Sequence, residues 1–578
     1  MTEALFESFD GTRSRWRATL ARPRSVLAAH TIEEVKPLIA EAEDEARQGR
    51  WVAVMLAYEA APAFDRSMIV HDAQGFPLAW AAVFDQSEEI VDNATADYEA
   101  SPWEPALSKS EYEKAIGEIR RLIEKGDTYQ INYTFPLRCR FTGDARSWHR
   151  KLGASQGARY SAYLDMGRYK ILSLSPELFF ERRGDRLIAR PMKGTIRRGR
   201  WAEEDDRQIA SLAASEKNRA ENLMIVDLVR NDLGKISVAG SVQTRRLFEI
   251  EKYPTLLQMT STIESVCRPQ AGLNQILGAL FPCGSITGAP KISSMRIIRE
   301  LEKFPRLAYT GSIGLIHPGG DSLFNVAIRT IIIDDQKREA VFSVGGGVTY
   351  DSTAEGEYDE CLLKARFLDQ RRQRFQILET LLLEDGDFFL LERHIKRARS
   401  SAKYFDFTWN EEEIAAALDQ ARRNHPEGRW KIRLLVAEDG SVSTECYAIR
   451  EESDRVLRVK FAREPINVDD PFIYNKTTLR DAYENALRGR GDCDDVILWN
   501  EKGEATESCF ANIVIESRGE RWTPPQECGL LAGTFRDELI ASGRVRERAI
   551  SKEEIRRAGS FFLINSVQKW KRAVLVDD

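Results

Sequence analysis

The stretch RFLDQRRQRFQ, residues 366–376, is polar and basic and interrupts a chain of 578 residues. A single hydrophobic core stops growing at about 250–300 residues, so a chain this long must divide. The sequence therefore predicts two domains, 1–370 and 371–578, with Arg371, Arg372 and Arg374 as a solvated linker rather than a binding patch. Beyond it the strand signals restart. QILETLLLEDGDFFLLERH reads as a hairpin turning at Asp385-Gly386 and leading into a helix, RHIKRARSSAKYF.

Before the boundary, SEYEKAIGEIRRLIEKGD carries apolar residues at helical spacing and stops at Gly126. Strand-like runs alternate with such helices: SAYLDM, YKILSLS, LIARPM, TGSIGLI, FNVAIRTIIID and AVFSVGGGV. Mixed α/β organisation follows, without internal repeats. At 43% hydrophobic residues the chain has enough apolar side chains to build two cores.

A net charge of −6 gives no broad positive field for nucleic acid or anionic membranes. No apolar run approaches membrane-spanning length and the start MTEALFESFDGTRSRWR lacks a signal-peptide pattern, which predicts a cytoplasmic protein. The eight cysteines show no close pairing, so neither a zinc site nor a disulfide framework is indicated. The six histidines are too scattered for a local metal motif. A metal here would be held by carboxylates, which points to a hard cation such as magnesium.

Three segments of the first half carry chemistry. In ARPMKGTIRRG, Lys193 ends a strand; such a loop lysine is ordinarily solvated, but it becomes a nucleophile where neighbours or burial lower its pKa. The helix AENLMIVDLVRNDLG puts Glu221 in its first turn on an otherwise apolar face, where a lone carboxylate is costly. The helix EGEYDECLLKARF aligns Glu357, Glu360 and Lys364 on one stripe, either as a surface ion pair or as part of a magnesium site shared with Glu221. The run Gly345-Gly346-Gly347 offers amides for a concave anion site. GSITGAPK lacks the ending of a phosphate-binding P-loop.

SPELFF, RPMKGT, AENLMIVDLVRNDLG, GSITGAPK, YTGSIG, AIRT, VGGGV and EYDECLLKA occur in the order found in the chorismate-utilising enzymes, and the resemblance covers most of residues 105–370. AYEAAPAFD before them resembles the N-terminal part of aminodeoxychorismate synthase component I. The resemblance implies a two-sheet sandwich flanked by helices, and chorismate as substrate. It assigns Lys193 as nucleophile on carbon 2, Glu177 as general acid on the carbon-4 hydroxyl, and Glu221, Glu357 and Glu360 to magnesium. It gives Arg329, Gly345 and Gly346 to the enolpyruvyl carboxylate, with Ser285, Tyr309 and Lys364 as further contacts. Anthranilate synthases resemble Pro-Ile-Ala-Gly-Thr where this chain has Lys193, and a His-containing pattern where it has Gln258, so anthranilate formation is the alternative. No glutamine amidotransferase segment is recognisable, which predicts a separate glutaminase subunit as ammonia source.

In the second half, FIYNKTTLRDAYENA, ATESCFANIVI, GLLAGTFR and RHIKRARSSA resemble the fold-type IV pyridoxal-phosphate enzymes over residues 376–575. The resemblance implies a two-subdomain fold. Lys476 would bond the cofactor aldehyde and move protons, Glu507 would hold the pyridine nitrogen, and Arg397, Gly533, Thr534 and Ser566 would hold the phosphate. Fusion to the first half favours an aminodeoxychorismate lyase, with an amino-acid aminotransferase or a non-catalytic dimerisation module as alternatives. Fold-type IV relatives further imply a homodimer through this half.

Overall fold

The computed structural model describes residues 2–9, 15–88, 96–368, 373–449 and 455–576. They gather into two compact units: Met1–Arg197 with Ile209–Arg372, and Arg198–Gln208 with Gln373–Asp578. Arg371 and Arg372 of the basic stretch lie outside the described residues.

The first unit is built on two ten-stranded sheets. One contains Gln130–Gly143, Glu339–Val348, Thr330–Asp334, Tyr169–Ser175 and Tyr160–Asp165 as successive neighbours; the other contains Met192–Arg197, Leu256–Val266, Arg186–Arg190 and Leu178–Arg183. These neighbours pair antiparallel. Side chains of a strand alternate between faces, and here both faces are covered. Along Trp51–Leu56, Val52, Val54 and Leu56 join the core beneath the helices, while Ala53 and Met55 join a core shared with Phe6, Leu164 and Ile171 of the other sheet. Double coverage explains why WVAVML and TIIID read as unbroken apolar runs rather than as alternating ones.

Local signals fix the helices that carry functional side chains. Ser215 caps Glu216–Gly234 by accepting from the Asn218 amide at 3.3 Å, and Thr353 caps Ala354–Ala365 by accepting from Gly356 at 3.3 Å. Because the first of these begins at Glu216, Glu221 stands in its second turn, not its first. FNVAIRTIIID is two strands, Ser322–Val326 and Thr330–Asp334, broken at Arg329, whose φ of 49° is incompatible with a continuing strand. The glycine run is strand too: Gly345, Gly346 and Gly347 lie opposite Thr134, Tyr133 and Asn132.

A buried ion pair ties this unit together. Glu302 and Arg306 are 5% and 3% exposed, and Arg306 donates to both carboxylate oxygens at 2.6 and 2.9 Å. Arg306 also donates to the carbonyls of Asn132 and Ile286, and Glu302 accepts from the Thr134 amide.

The second unit holds a four-stranded sheet, with Ile377–Glu384 between Asp387–Phe388 and Arg429–Val436, and a nine-stranded sheet. The predicted hairpin turns at Asp385 and Gly386, both at positive φ. Helices Leu391–Phe405 and Glu411–Asn424 share a core with Ile377, Leu381 and Leu383. The segment Arg198–Gln208 packs within this unit: Tyr404 donates its hydroxyl to the Gly199 carbonyl at 2.7 Å, Asn475 donates to the Arg200 carbonyl at 3.2 Å, and Trp201 lies against Tyr474.

Removing one member of a buried charge pair strands the other, at about 3–5 kcal/mol. Glu302→Ala is therefore expected to lower the unfolding free energy of the first unit by about that amount, read as a shift of its denaturant midpoint.

Candidate active sites

In the first unit, Lys193 lies on Met192–Arg197 with its Nζ 3.6 Å from Glu221 Oε2. Asn222 donates to the Lys193 carbonyl at 3.2 Å, and Gln258 donates to the Gly194 carbonyl at 2.9 Å while accepting from Thr195 at 2.9 Å. These contacts fix the backbone on both sides of the lysine. A Cβ at Gly347 would stand 2.4 Å from Lys193 Nζ, and one at Gly346 would stand 2.8 Å from Glu357 Oε2. The glycines thus serve by leaving room for charged side chains against the strand.

Glu177 is 2% exposed and accepts from Ser285 Oγ at 2.9 Å. Burial raises its pKa to about 7, against the pull of Ser285, the Met192 amide and Lys193. It is therefore a carboxyl that holds its proton near neutrality. Lys364 donates to Glu360 at 2.8 Å and to the Gly345 carbonyl at 2.9 Å; burial works against its charge, but Glu360 outweighs it and the pKa rises. Glu357 accepts from Ser352 at 2.7 Å, and burial, then the nearby Glu360, raises its pKa.

The expectation that Glu221, Glu357 and Glu360 meet at one point is not met by these side chains. Among the described residues no three His, Cys, Asp or Glu side chains gather closely enough to hold a metal ion. Each carboxylate is turned to its own partner: Lys193, Ser352 and Lys364. The donor chemistry still suits a hard cation, since the field of Lys193 reaches both Glu357 and Glu360 and the three carboxylates border one lysine.

Arg329 donates to Gln156 at 3.2 Å and pairs with no carboxylate among the described residues, which leaves it available to an anion. Tyr309 is buried in the field of Arg306. Gln130 was not foreseen. It is 1% exposed, both its amide atoms lack partners, and its Nε2 would be 2.6 Å from the same Gly347 Cβ that crowds Lys193. The signal was a glutamine opening the strand QINYTFPL, whose residues are all buried.

In the second unit one cavity of about 780 Å³ is lined by Arg397, Lys476, Glu507, Gly533, Thr534 and Ser566 together. Lys476 is isolated from any carboxylate partner among the described residues. Burial, then Arg397 and Arg480, lower its pKa to about 7. Glu507 is raised to about 7 by burial while accepting from the Leu531 amide at 3.0 Å and from Tyr483 at 2.7 Å. Gly533 precedes the helix Thr534–Ala541, and a Cβ there would lie 2.0 Å from Asn512 Oδ1, so any side chain at this position would displace the Asn512 amide. Ser566 donates to the Thr380 carbonyl at 3.3 Å.

A nucleophilic amine, a buried carboxylate, an arginine and a helix N-terminus around one cavity form the donor set that pyridoxal phosphate requires. No helix among the described residues is long and apolar enough to cross a membrane.

Residues 5–370 match the family described as chorismate binding enzyme, and residues 376–575 match amino-transferase class IV. Aminodeoxychorismate synthase component 1 of Escherichia coli is 39% identical over 271 residues, 47% of this chain and 59% of that protein. Anthranilate synthase component 1 of Aquifex aeolicus is 36% identical over 46% of this chain and 53% of that protein. The matched segments thus span little more than half of these relatives. The crystal structure of anthranilate synthase component I from Streptococcus pneumoniae aligns with 64% of this chain and 90% of its own, at a TM-score of 0.50 and 24% identity, a likeness of fold.

An amine with a pKa of about 7 titrates apart from ordinary lysines, which titrate near about 10.4. In protein reductively methylated with ¹³C, one dimethyl-lysine resonance is expected to titrate within about a unit of pH 7 and to vanish in Lys476→Ala.

Proposed function

The chain belongs to the chorismate-binding enzyme family, and from that premise we propose that its first unit converts chorismate and ammonia into 4-amino-4-deoxychorismate and water. We further propose that the second unit splits that product into p-aminobenzoate and pyruvate, a supply route for folate synthesis. The observation that carries the first reading is Lys193 itself, an amine bordered by Glu177 and Glu221 in the space that Gly347 leaves open.

The lysine Nζ bonds to carbon 2 of the substrate ring as the carbon 4–oxygen bond breaks, and the Glu177 proton leaves with that oxygen as water. Ammonia then bonds to carbon 4 as the carbon 2–Nζ bond breaks, and the proton its nitrogen sheds returns to Glu177. Magnesium held by Glu221, Glu357 and Glu360 would neutralise the ring carboxylate. Arg329, free of carboxylate partners, suits the enolpyruvyl carboxylate. The relatives' printed designation, component 1, supports a separate amidotransferase subunit as ammonia source.

For the second unit, pyridoxal phosphate supplies an electron sink when bound. Lys476 and Glu507 would anchor its aldehyde and ring nitrogen, and Arg397, Gly533, Thr534 and Ser566 its phosphate. Lys476, with its pKa near 7, is suited to take the proton from carbon 4 and deliver one to the departing three-carbon group. The cations Lys431, Arg433, Arg480 and Lys571 also line the cavity and support a substrate bearing two carboxylates.

Feeding chorismate, magnesium and ammonium to the full chain is expected to yield p-aminobenzoate by mass. Lys476→Ala should accumulate aminodeoxychorismate and Lys193→Ala should form neither; anthranilate as product, or undiminished synthesis by Lys193→Ala, would refute the proposal. The acid form of Glu177 is present below about pH 7 and lost above it, so kcat/KM of the first reaction should fall as pH rises through that value. Glu177→Gln should lower the rate about 10²–10⁴-fold and remove that limb of the profile.

A further inference from the structure

Two ionisable groups, Glu379 and His394, lie behind the second cavity and have no part in the chemistry above. Glu379 belongs to Ile377–Glu384, a strand whose residues alternate between two environments. Leu378 and Thr380 line the cavity, whereas Ile377, Leu381 and Leu383 pack under the helices. Glu379 shares the parity of the second set and is 1% exposed. Its carboxylate therefore sits in the helix-covered core, where an uncompensated charge would be very costly.

Three bonds compensate it. Arg397 donates Nε and Nη2 to its two oxygens at 2.8 and 2.6 Å, and His394 Nδ1 lies 2.7 Å away. Burial alone would raise the carboxyl, but Arg397 and then His394 outweigh it and hold its pKa at about 2. An ionised carboxylate only accepts, so His394 Nδ1 carries the proton. Burial keeps the imidazole from gaining a second one. Nε2 is then an acceptor, and the Thr534 hydroxyl at 3.1 Å must donate to it.

That sequence of bonds ends at the cavity wall. Arg397 gives one more N–H to the Ala532 carbonyl at 3.0 Å, so about two of its five donors stay uncommitted. Arg397 and Thr534 both line the cavity, and Thr534 opens the helix Thr534–Ala541. Glu379 thus fixes a planar cation directly and a helix start through His394. With its hydroxyl proton committed, Thr534 meets an anion through the backbone amides of its helix start.

We propose that Glu379 is a positioning residue for an anionic group in the second cavity: it holds Arg397 and, through His394, Thr534 in the geometry that receives a phosphate monoester. This rests on the reading that the cavity takes pyridoxal phosphate. Glu379 itself touches neither the cofactor nor the reacting atoms.

The test compares binding of pyridoxal phosphate and of pyridoxal, which lacks the phosphate, to the full-length protein stripped of cofactor. Binding is followed by visible absorbance and by thermal shift. Glu379→Gln keeps the size of the side chain and removes its charge. It is expected to weaken pyridoxal phosphate about 10- to 100-fold, leave pyridoxal unchanged, and abolish the stabilisation that inorganic phosphate gives the unmodified chain. Glu379→Asp, which keeps the charge, should recover part of that affinity and covers the case in which the amide variant folds poorly. Equal weakening of both ligands, or undiminished affinity for pyridoxal phosphate in Glu379→Gln, would overturn the assignment alone. Failure of the unmodified chain to bind pyridoxal phosphate would overturn the reading of the cavity and this assignment with it.

Discussion

Removing an ionisable side chain from water disfavours its charged form, and this chain handles that penalty in two distinct ways. Where partners are complete, charge is kept. Glu302 with Arg306 is a deeply buried pair, and Glu379 is a buried carboxylate whose oxygens accept from Arg397 and His394. Where partners are incomplete, burial wins. Glu177, Glu507 and Lys476 have each moved to about 7, the carboxyls from below and the amine from above. The first kind of burial specifies geometry; the second leaves groups able to exchange protons near neutrality, which is what acid and base chemistry at that pH requires.

Much of the fold was legible because local chemistry and tertiary context agree. The Asp385-Gly386 turn and the runs YKILSLS and AVFSVGGGV fold as their patterns predict. FNVAIRTIIID misled because two doubly covered strands joined by a three-residue break keep apolar character throughout, so composition carries no mark of the kink at Arg329. The glycine run has a second use that its pattern does not show. Glycine is usually read as backbone freedom, yet Gly346 and Gly347 occupy a regular strand and matter through the missing side-chain volume that Glu357, Gln130 and Lys193 fill.

Site residues divide along the same line. Lys193, Glu177, Lys476 and Glu507 stand out as candidates in the sequence because each lies in a motif that the resemblance covers. Glu379 and Gln130 do not, since each is a polar residue on a mostly buried strand and acquires meaning only from its partners in the fold, or from having none. The carboxylates Glu221, Glu357 and Glu360 were readable as chemistry but not as geometry: spacing puts two of them on one helical stripe, while the choice between a shared ion and separate lysine or hydroxyl partners depends on rotamers.

The membership of Arg198–Gln208 in the second unit has a bearing on how this polypeptide can be dismembered. A single scission at the basic stretch leaves those eleven residues on the wrong fragment, because they precede it in the chain by more than a hundred and fifty positions. The downstream fragment would then lose one of the two carbonyl acceptors of the Asn475 amide, one residue from Lys476, and the indole that lies against Tyr474. Splitting the gene at its obvious seam would therefore yield an intact recognition sequence for each half but an impaired lysine loop in the second, and a functional bisection would need the short excursion grafted back.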